Sequence, residues 1–263
     1  MRLYNPVEKG PTMSDEFMAT FEKLWIALRA RWCANHDLNG GLAFSNDQVK
    51  IAFFHRVVQV NVEDARVDGL IDDALRLFRD QGFDCAFTLS PLDCPADLGE
   101  RLEQRGFKRG ILASAMVYDP PVAPPPVDSV AQVAVSDEGE YDIWADVSCR
   151  SFAHPPTMGE VGRAALIAPE VRRYLARVDG VPAGTTLLCL QFGMGYIDLV
   201  GTLFEHRRQG VASALVMRAV ADSQAAGNRW TALETETGTD AERLYKRLGF
   251  RTAYHRHRYI KSI

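Results

Sequence analysis

The sequence has few cysteines and lacks any long apolar run. Its five cysteines are an odd number, widely scattered, and none stands at Cys-x-x-Cys spacing from another. This usage indicates a reducing compartment. No stretch approaches the ~18 consecutive apolar residues that a membrane-spanning helix needs, and acidic residues interrupt the N-terminal segment where a signal peptide would have its apolar core. We therefore expect a cytoplasmic protein with no membrane partner.

An excess of positive charge is also missing. The formal net charge is −4, so the chain as a whole does not attract nucleic acid, and we expect no such partner. Hydrophobic residues make up 47% and charged residues 24% of the chain, which is typical of packed globular proteins. A length of 263 residues allows one large domain or two small ones.

A proline-rich segment divides the chain. The stretch DPPVAPPPVDS, residues 119–129, contains five prolines, which disfavour both helix and central strand. It predicts an extended linker between a first domain over residues 1–118 and a second over residues 130–263.

Hydrophobic periodicity predicts alternating helices and strands on both sides of the linker. Before it we expect a helix over 14–33, a glycine-rich turn at 39–41, and then strand, helix, strand, helix and strand between 49 and 118. After it we expect a strand near 132–135, helices across 138–152 and 158–166, three strands between 171 and 204 with a hairpin at 179–182, a helix over 209–226, a strand at 229–236, a helix over 240–248 and a last strand from 250. The pattern indicates an α/β protein with a mixed sheet.

The two halves contain similar motifs in nearly constant register. Two pairs of positions are separated by 141 residues and a third by 143, namely Arg66 and Arg207, Gly69 and Gly210, and Gly106 and Gly249. Two unrelated amphipathic helices would share leucines, but not these glycines as well. A duplicated unit is the simplest interpretation.

The stretch EHRRQGVASAL, residues 205–215, has the composition of an anion site. It follows a predicted strand and opens a predicted helix, whose first N–H groups have no helical partners. Gly210, Ala212 and Ser213 are small enough for an anion to approach those N–H groups, and Arg207 and Arg208 add positive charge. The sequence predicts a phosphate-binding turn. It contains neither the P-loop nor the dinucleotide-binding glycine motif.

The same turn resembles that of the GNAT superfamily of N-acetyltransferases, whose pattern is R/Q-x-x-G-x-G/A. The strand before it, the helix after it and AERLYKRLGF at 241–250 occur where that superfamily has them. The resemblance implies an α/β fold of two GNAT-like domains in tandem. Each has a central mixed, mostly antiparallel sheet flanked by helices, and in the C-terminal copy one strand splays from its neighbour to hold the cofactor.

The resemblance also implies acetyl-CoA as the cofactor. Its pyrophosphate is expected on the turn and the helix start, and its pantetheine arm along the preceding strand; the residues are Val200, Gly201, Thr202, Arg207, Arg208, Gln209, Gly210, Val211, Ala212 and Ser213. Two positions depart from many relatives: Phe204 stands in place of a proline and Gly238 in place of an asparagine. In the first half, Asp68 and Ile71 stand near the matching turn, and we expect that copy to have lost cofactor binding.

Tyr245 occupies the position of the superfamily's general acid, which protonates the departing thiolate; a core aromatic is the alternative interpretation. The general base is less defined. Glu234 and Glu236 are candidates, as are Asp198 and His154, and a water chain without a dedicated base is equally consistent with the sequence.

The C-terminal stretch AYHRHRYIK, residues 253–261, is rich in cations. It could attract an acidic acceptor, or it could be an exposed strand with one polar face; no metal site is indicated.

The predicted function is transfer of an acetyl group from acetyl-CoA to a primary amine of a small molecule or peptide, by direct attack in a ternary complex. We expect a monomer or homodimer and an amine acceptor whose identity the sequence does not encode. The alternatives are a noncatalytic acyl-CoA-binding or interaction module and a transferase for a longer acyl group.

Overall fold

A computed structural model describes residues 15–49, 54–120 and 126–263. Part of the predicted first strand and the centre of the predicted linker lie outside these ranges. The helices of the described residues are α1 Asp15–Arg29, α2 Val67–Gln81, α3 Leu98–Gln104, α4 Tyr141–Ser151, α5 Thr157–Leu166, α6 Val211–Ala225 and α7 Asp240–Arg247. Among them, no helix is long and apolar enough to cross a membrane.

The strands form one mixed sheet. They are β1 Ala34–Asp37, β2 Leu42–Ser45, β3 Arg56–Val58, β4 Cys85–Leu89, β5 Lys108–Tyr118, β6 Gln132–Ser136, β7 Val171–Val178, β8 Val181–Gln191, β9 Met194–Thr202, β10 Trp230–Glu236 and β11 Phe250–Lys261. Their order in the sheet is β1-β2-β3-β4-β11-β5-β10-β9-β8-β7-β6. This arrangement confirms the predicted mixed fold with helices flanking the sheet.

The last strands of the two halves are exchanged. β5 ends the first half, yet it pairs with β10 of the second half; β11 ends the second half, yet it pairs with β4 of the first. β5 and β11 also pair with each other, all in antiparallel fashion. The two predicted sheets are therefore joined into one continuous sheet. The predicted boundaries at 118 and 130 separate two segments that each contribute a strand to the other segment's part of the sheet.

Some elements follow the sequence closely and others do not. The predicted hairpin turn joins β7 and β8, with Asp179 and Gly180 both at positive φ. The glycine-rich turn at 39–41 connects β1 and β2, two strands that the periodicity does not predict. β1 has the sequence ANHD, which lacks the alternation of a half-buried strand, and it lies at the edge of the sheet with exposed side chains.

Each face of the sheet has its own core. On one face, α2 and α3 cover the first half and α6 and α7 cover the second, each with a separate apolar cluster. On the other face a single cluster extends across both halves under α1, α4 and α5. α1 belongs to the first half but packs on the second: the ring centroid of Phe21 lies 5.4 Å from that of Tyr196 on β9. Apolar burial therefore holds the halves together.

Candidate functional site

A gap opens between β9 and β10. The two strands pair in parallel from Met194 and Trp230 as far as Ile197 and Leu233, and no pairing between them follows in the described residues. The register of β9 against β8 shifts at the same level, and Leu199 has a positive φ of 50°. Such a bulge bends a strand away from its neighbour. The predicted splayed strand is therefore present in the second half.

A cavity of about 440 Å³ passes through this gap. Ile197, Leu233 and Tyr245 line it from the face covered by α6 and α7, whereas Trp144 and Asp198 line it from the opposite face. Residues from both faces of the sheet therefore line one cavity at the gap.

The first half supplies part of the cavity wall. Arg29 at the end of α1, Trp32 and Phe54 line the cavity, as do Ile111 and Ala113 of β5. These residues stand more than 80 positions away from β9 in the sequence. The exchange of strands and the packing of α1 over the second half bring them there.

The predicted phosphate turn has free N–H groups. Gly210 is the N-cap of α6 and has a left-handed conformation with φ of 74°. The backbone N–H groups of Val211, Ala212 and Ser213 donate to no acceptor within the described ranges. Three exposed polar side chains surround the turn, those of Arg207, Arg208 and Gln209. The turn thus offers unpaired donors and two guanidinium groups to an anion.

Contacts within the protein also require glycine at position 210. A Cβ atom at this position would overlap the carbonyl oxygen of Asp128, and the Ser129 hydroxyl donates to the carbonyl oxygen of Gln209 at 3.2 Å. The end of the linker therefore packs on one side of the turn. The interpretation from sequence, which explained the glycine by anion approach alone, omitted this contact and the left-handed backbone.

Tyr245 lies in the core and at the cavity. Its side chain is 7% exposed, and its ring packs edge-on against Phe250 with centroids 6.1 Å apart. It also lines the cavity, and its hydroxyl has no hydrogen-bond partner among the described residues. Burial and the negative charge of Asp198 raise the pKa of Tyr245. Both interpretations of this residue from sequence therefore fit its location.

The two carboxylates of β10 lie in different environments. Glu234 forms an ion pair with Arg256 of β11, which also binds Glu22 of α1 at 3.1 Å. Burial alone would raise the pKa of Glu234, but the Arg256 guanidinium holds that pKa below its ordinary value. Glu236 lines the cavity, is exposed, and makes no ion pair with any described residue. Glu236 is therefore the more accessible proton acceptor of the two.

The other two candidates for the base also line the cavity. Asp198 pairs with Arg29 at 2.7 Å and accepts a hydrogen bond from the N–H of Leu199 at 2.8 Å. His154 stacks against Phe152, and burial lowers its pKa, so its imidazole is neutral at pH 7. Within the described ranges, no group of three histidine, cysteine or carboxylate side chains could hold a metal ion.

In the first half, the chain itself fills the place that corresponds to the gap. Gln59, at a position equivalent to Leu199, also has a positive φ of 53°. Beyond Gln59, the N–H of Cys94 donates to the carbonyl oxygen of Val60 at 2.8 Å. The N–H of Val62 in turn donates to the carbonyl oxygen of Cys94 at 3.4 Å. The backbone that would pair with a pantetheine arm is thus paired with residues 93–94. Periodicity did not indicate this internal strand partner.

The start of α2 also differs from that of α6. Gly69 lies within the first turn of α2 and lacks the left-handed conformation of Gly210. The carboxylates of Asp68 and Asp72 both bind Arg105. This geometry supports the prediction that the first copy does not bind the cofactor.

Known proteins give the same fold. Residues 141–250 match the sequence model of the acetyltransferase (GNAT) family, and no curated protein matches the sequence significantly. A GCN5-related N-acetyltransferase from Kribbella flavida has a TM-score of 0.71 and 20% identity, with 92% of this chain and 95% of that chain covered. One from Sphaerobacter thermophilus has a TM-score of 0.65 and 18% identity, with 84% and 80% covered.

A tandem GNAT protein from the clavulanic acid biosynthesis pathway is also similar, with a TM-score of 0.60, 15% identity, and 84% of this chain and 78% of that chain covered. The matched residues include β9, the predicted phosphate turn, α6 and α7, which carried the resemblance in the sequence. Residues 141–250 therefore match the acetyltransferase (GNAT) family model, in a chain whose fold resembles that of a tandem GNAT protein.

Proposed function

We propose that the protein is an N-acetyltransferase that moves the acetyl group of acetyl-CoA to a primary amine in a ternary complex. The observation that carries this proposal is the gap between β9 and β10, which opens into the cavity beside Tyr245. A direct transfer needs the thioester and the amine to meet in one enclosed space. A cavity at the gap that is lined by residues from both faces of the sheet provides such a space.

The residues around the gap fit acetyl-CoA. The N–H groups of Val211, Ala212 and Ser213 and the guanidinium groups of Arg207 and Arg208 suit a pyrophosphate. The edge of β9 at Val200–Thr202, with which β10 does not pair, suits the amides of the pantetheine arm, which would pair with it as an added strand. The hydroxyl of Thr202 is buried and has no partner in the described residues, which leaves it available to the same arm.

When bound, acetyl-CoA supplies an activated acetyl group as a thioester. Tyr245 donates its phenolic hydrogen to the departing sulfur, because its raised pKa keeps it protonated at neutral pH. Glu236 accepts a proton from the incoming ammonium group, directly or through water. Trp144, Leu199 and the apolar residues from the first half exclude bulk water, which favours attack by the amine over hydrolysis.

Two measurements test the proposal. Calorimetry with coenzyme A is expected to give one site per chain, and thiol release from acetyl-CoA is expected to require an amine from a broad panel. Binding without release for every amine would favour a noncatalytic acyl-CoA-binding module instead. Faster release from longer thioesters than from acetyl-CoA would favour a transferase for a longer acyl group.

A further inference from the structure

The polar face of β11 is turned inward, and two arginines on it differ in their partners. Arg256 and Arg258 are two residues apart, so they share one face of the strand. Arg256 is 1% exposed and binds two carboxylates, those of Glu22 and Glu234. Arg258 lines the cavity, and its side chain forms no ion pair or hydrogen bond with any residue that the structure describes; its Nε is buried. The first arginine thus makes direct ion pairs within the protein, and the second makes none.

The other charged side chains at the cavity are either paired with an opposite charge or exposed to water. Arg29 is paired with Asp198, and Glu234 is paired with Arg256. Glu236 is exposed, so water solvates its charge. Burial lowers the pKa of Arg258 and the nearby Arg256 adds to this shift, whereas the carboxylates of Glu234 and Glu236 oppose it without contacting the guanidinium directly. A partly buried cation that no carboxylate contacts directly is unfavourable, and a bound anion would reduce that cost.

The backbone directs Arg258 toward the cavity. The register between β5 and β11 shifts between His257 and Tyr259, where Gly110 and Ile111 of β5 lie opposite Arg258, so the bulge is on β5. The pairing of β11 with β4 is regular through Arg258, which keeps its side chain on the same face as that of Arg256. Ile111, within the bulge, lines the same cavity. The cation is therefore presented by rigid strands in the centre of the sheet, not by a mobile loop.

Apolar side chains form much of the cavity lining, with Trp32, Phe54, Met158, Val161 and Leu166 among them. The carboxylates of Asp198 and Glu236 stand on β9 and β10, and that of Glu236 also acts on the charge of Arg258. The cavity thus combines carboxylates on β9 and β10, apolar surface and the cation of Arg258 on β11.

We propose that the acceptor is a primary amine that also carries a carboxylate, and that Arg258 binds this carboxylate while the amine faces the gap. The inference rests on the proposed acetyl transfer for the identity of the reacting group. A guanidinium matches a carboxylate with two parallel N–H···O bonds, so Arg258 acts as a specificity-determining residue. Amino acids and short peptides with a free carboxyl end belong to this class of acceptor.

The activity test uses pairs of amines that differ only in the carboxylate: phenylalanine with phenethylamine, leucine with 3-methylbutylamine, and 6-aminohexanoate with pentylamine. For at least one pair, the wild type is expected to show a kcat/KM at least tenfold higher for the acid, since a hydrogen-bonded charge pair is worth about a tenfold to hundredfold effect. Equal kcat/KM values within every pair would overturn the inference, while the acetylation itself would support the proposed function.

Substitutions test whether Arg258 causes the preference for amines that carry a carboxylate. Arg258→Met is expected to abolish the preference for the acid and leave the binding of coenzyme A unchanged. Arg258→Lys keeps the charge and is expected to retain part of the preference, which covers the case in which the methionine variant does not fold. The control is Arg109→Met, which removes a more exposed arginine of β5 that does not line the cavity. A preference that persists in a folded Arg258→Met variant contradicts the assignment.

A binding test does not depend on turnover. Calorimetry with N-acetyl-phenylalanine and N-acetyl-leucine and with their amides is expected to show at least tenfold tighter binding of the acids to the wild type, and no difference for Arg258→Met. If the acids bind in this way but no amine is acetylated, the anion site stands and the proposed function fails. If amines are acetylated but acids and amides bind equally, the proposed function stands and the anion site fails.

Discussion

Arg256 of β11 binds Glu22 of α1, with its Nε 3.1 Å from the carboxylate oxygen. The pair joins the last strand of the second half to the first helix of the first half. Arg256 is 1% exposed, and Glu234 of β10 binds the same guanidinium. One cation thus offsets two buried carboxylates from two elements. The sheet beneath the cavity depends on it for electrostatic balance.

Replacement of Arg256 by methionine is therefore expected to destabilise the fold strongly. The change leaves Glu22 and Glu234 buried without their cation, and loss of one partner from a buried ionic group costs about 3–5 kcal/mol. Chemical denaturation measures the free energy of unfolding. The matched control is Arg243→Met, whose guanidinium pairs with Asp240 on the surface of α7 and whose loss is expected to cost about 1 kcal/mol or less. Similar losses in both variants would show that the buried cluster does not stabilise the fold.

Tyr245→Phe is expected to lower kcat by about 10²-fold or more and leave the affinity for coenzyme A unchanged, because only the proton donor is lost. Tyr118→Phe is the control: Tyr118 also packs against Phe250 but does not line the cavity. Burial and the charge of Asp198 raise the pKa of Tyr245 above its ordinary value near 10. The rate profile of the wild type should therefore show no loss of activity from ionisation of this phenol up to about pH 10. A Tyr245→Phe enzyme with normal turnover would remove Tyr245 from the mechanism.

Loss of Arg207 and Arg208 is expected to weaken binding of coenzyme A by roughly tenfold to hundredfold, since charge-assisted contacts to phosphate are lost. The effect should diminish at high salt, because both side chains are exposed. Arg66→Ala provides the control from the first half. It occupies the matching position in the sequence, but its groove is filled by residues 93–94. Isothermal titration of coenzyme A into the wild type, the variant without Arg207 and Arg208, and Arg66→Ala measures the three affinities. An equal loss of affinity in both variants would indicate a second cofactor site.

The sequence predicts the part of the site that local motifs encode. The turn around Gly210 and the position of Tyr245 follow from a strand, a glycine and a helix that are adjacent in the chain. The exchange of β5 and β11 does not follow from periodicity, because each strand has the same alternation whichever partner it pairs with. Arg29, Trp32 and Arg258 enter the cavity only through that exchange and through the packing of α1. Their contribution to the site could therefore be recognised only from the tertiary structure.

His55 is expected to make the protein sensitive to mild acid. Its ring is 2% exposed and stacks on Phe83 at 3.6 Å, and burial, with the charge of Arg56, lowers its pKa to about 4. The unfolded chain binds a proton near pH 6.5 and the folded chain only near pH 4, so stability falls as the pH falls through this window. The loss amounts to about 3 kcal/mol.

Denaturation at several pH values measures this dependence. His55→Gln is expected to flatten the slope between pH 6.5 and pH 4, whatever its stability at neutral pH. The control His255→Gln changes an exposed histidine of β11 and is expected to keep the wild-type slope. An unchanged slope in His55→Gln would mean that other groups cause the acid sensitivity.

The two glycines that aligned in the sequence provide a direct comparison of the halves. Gly210 has a left-handed backbone, and a Cβ there would overlap the Asp128 carbonyl oxygen. Gly210→Ala is therefore expected to lower the free energy of unfolding by at least about 1–2 kcal/mol and to weaken binding of coenzyme A. Gly69 lies in a helical turn with open space around it, so Gly69→Ala is expected to stabilise the protein by about 0.5–1 kcal/mol. Opposite signs for the same substitution would show that only the second copy keeps the turn that an anion requires. A tolerated Gly210→Ala variant would instead mean that the linker does not pack against this turn in solution.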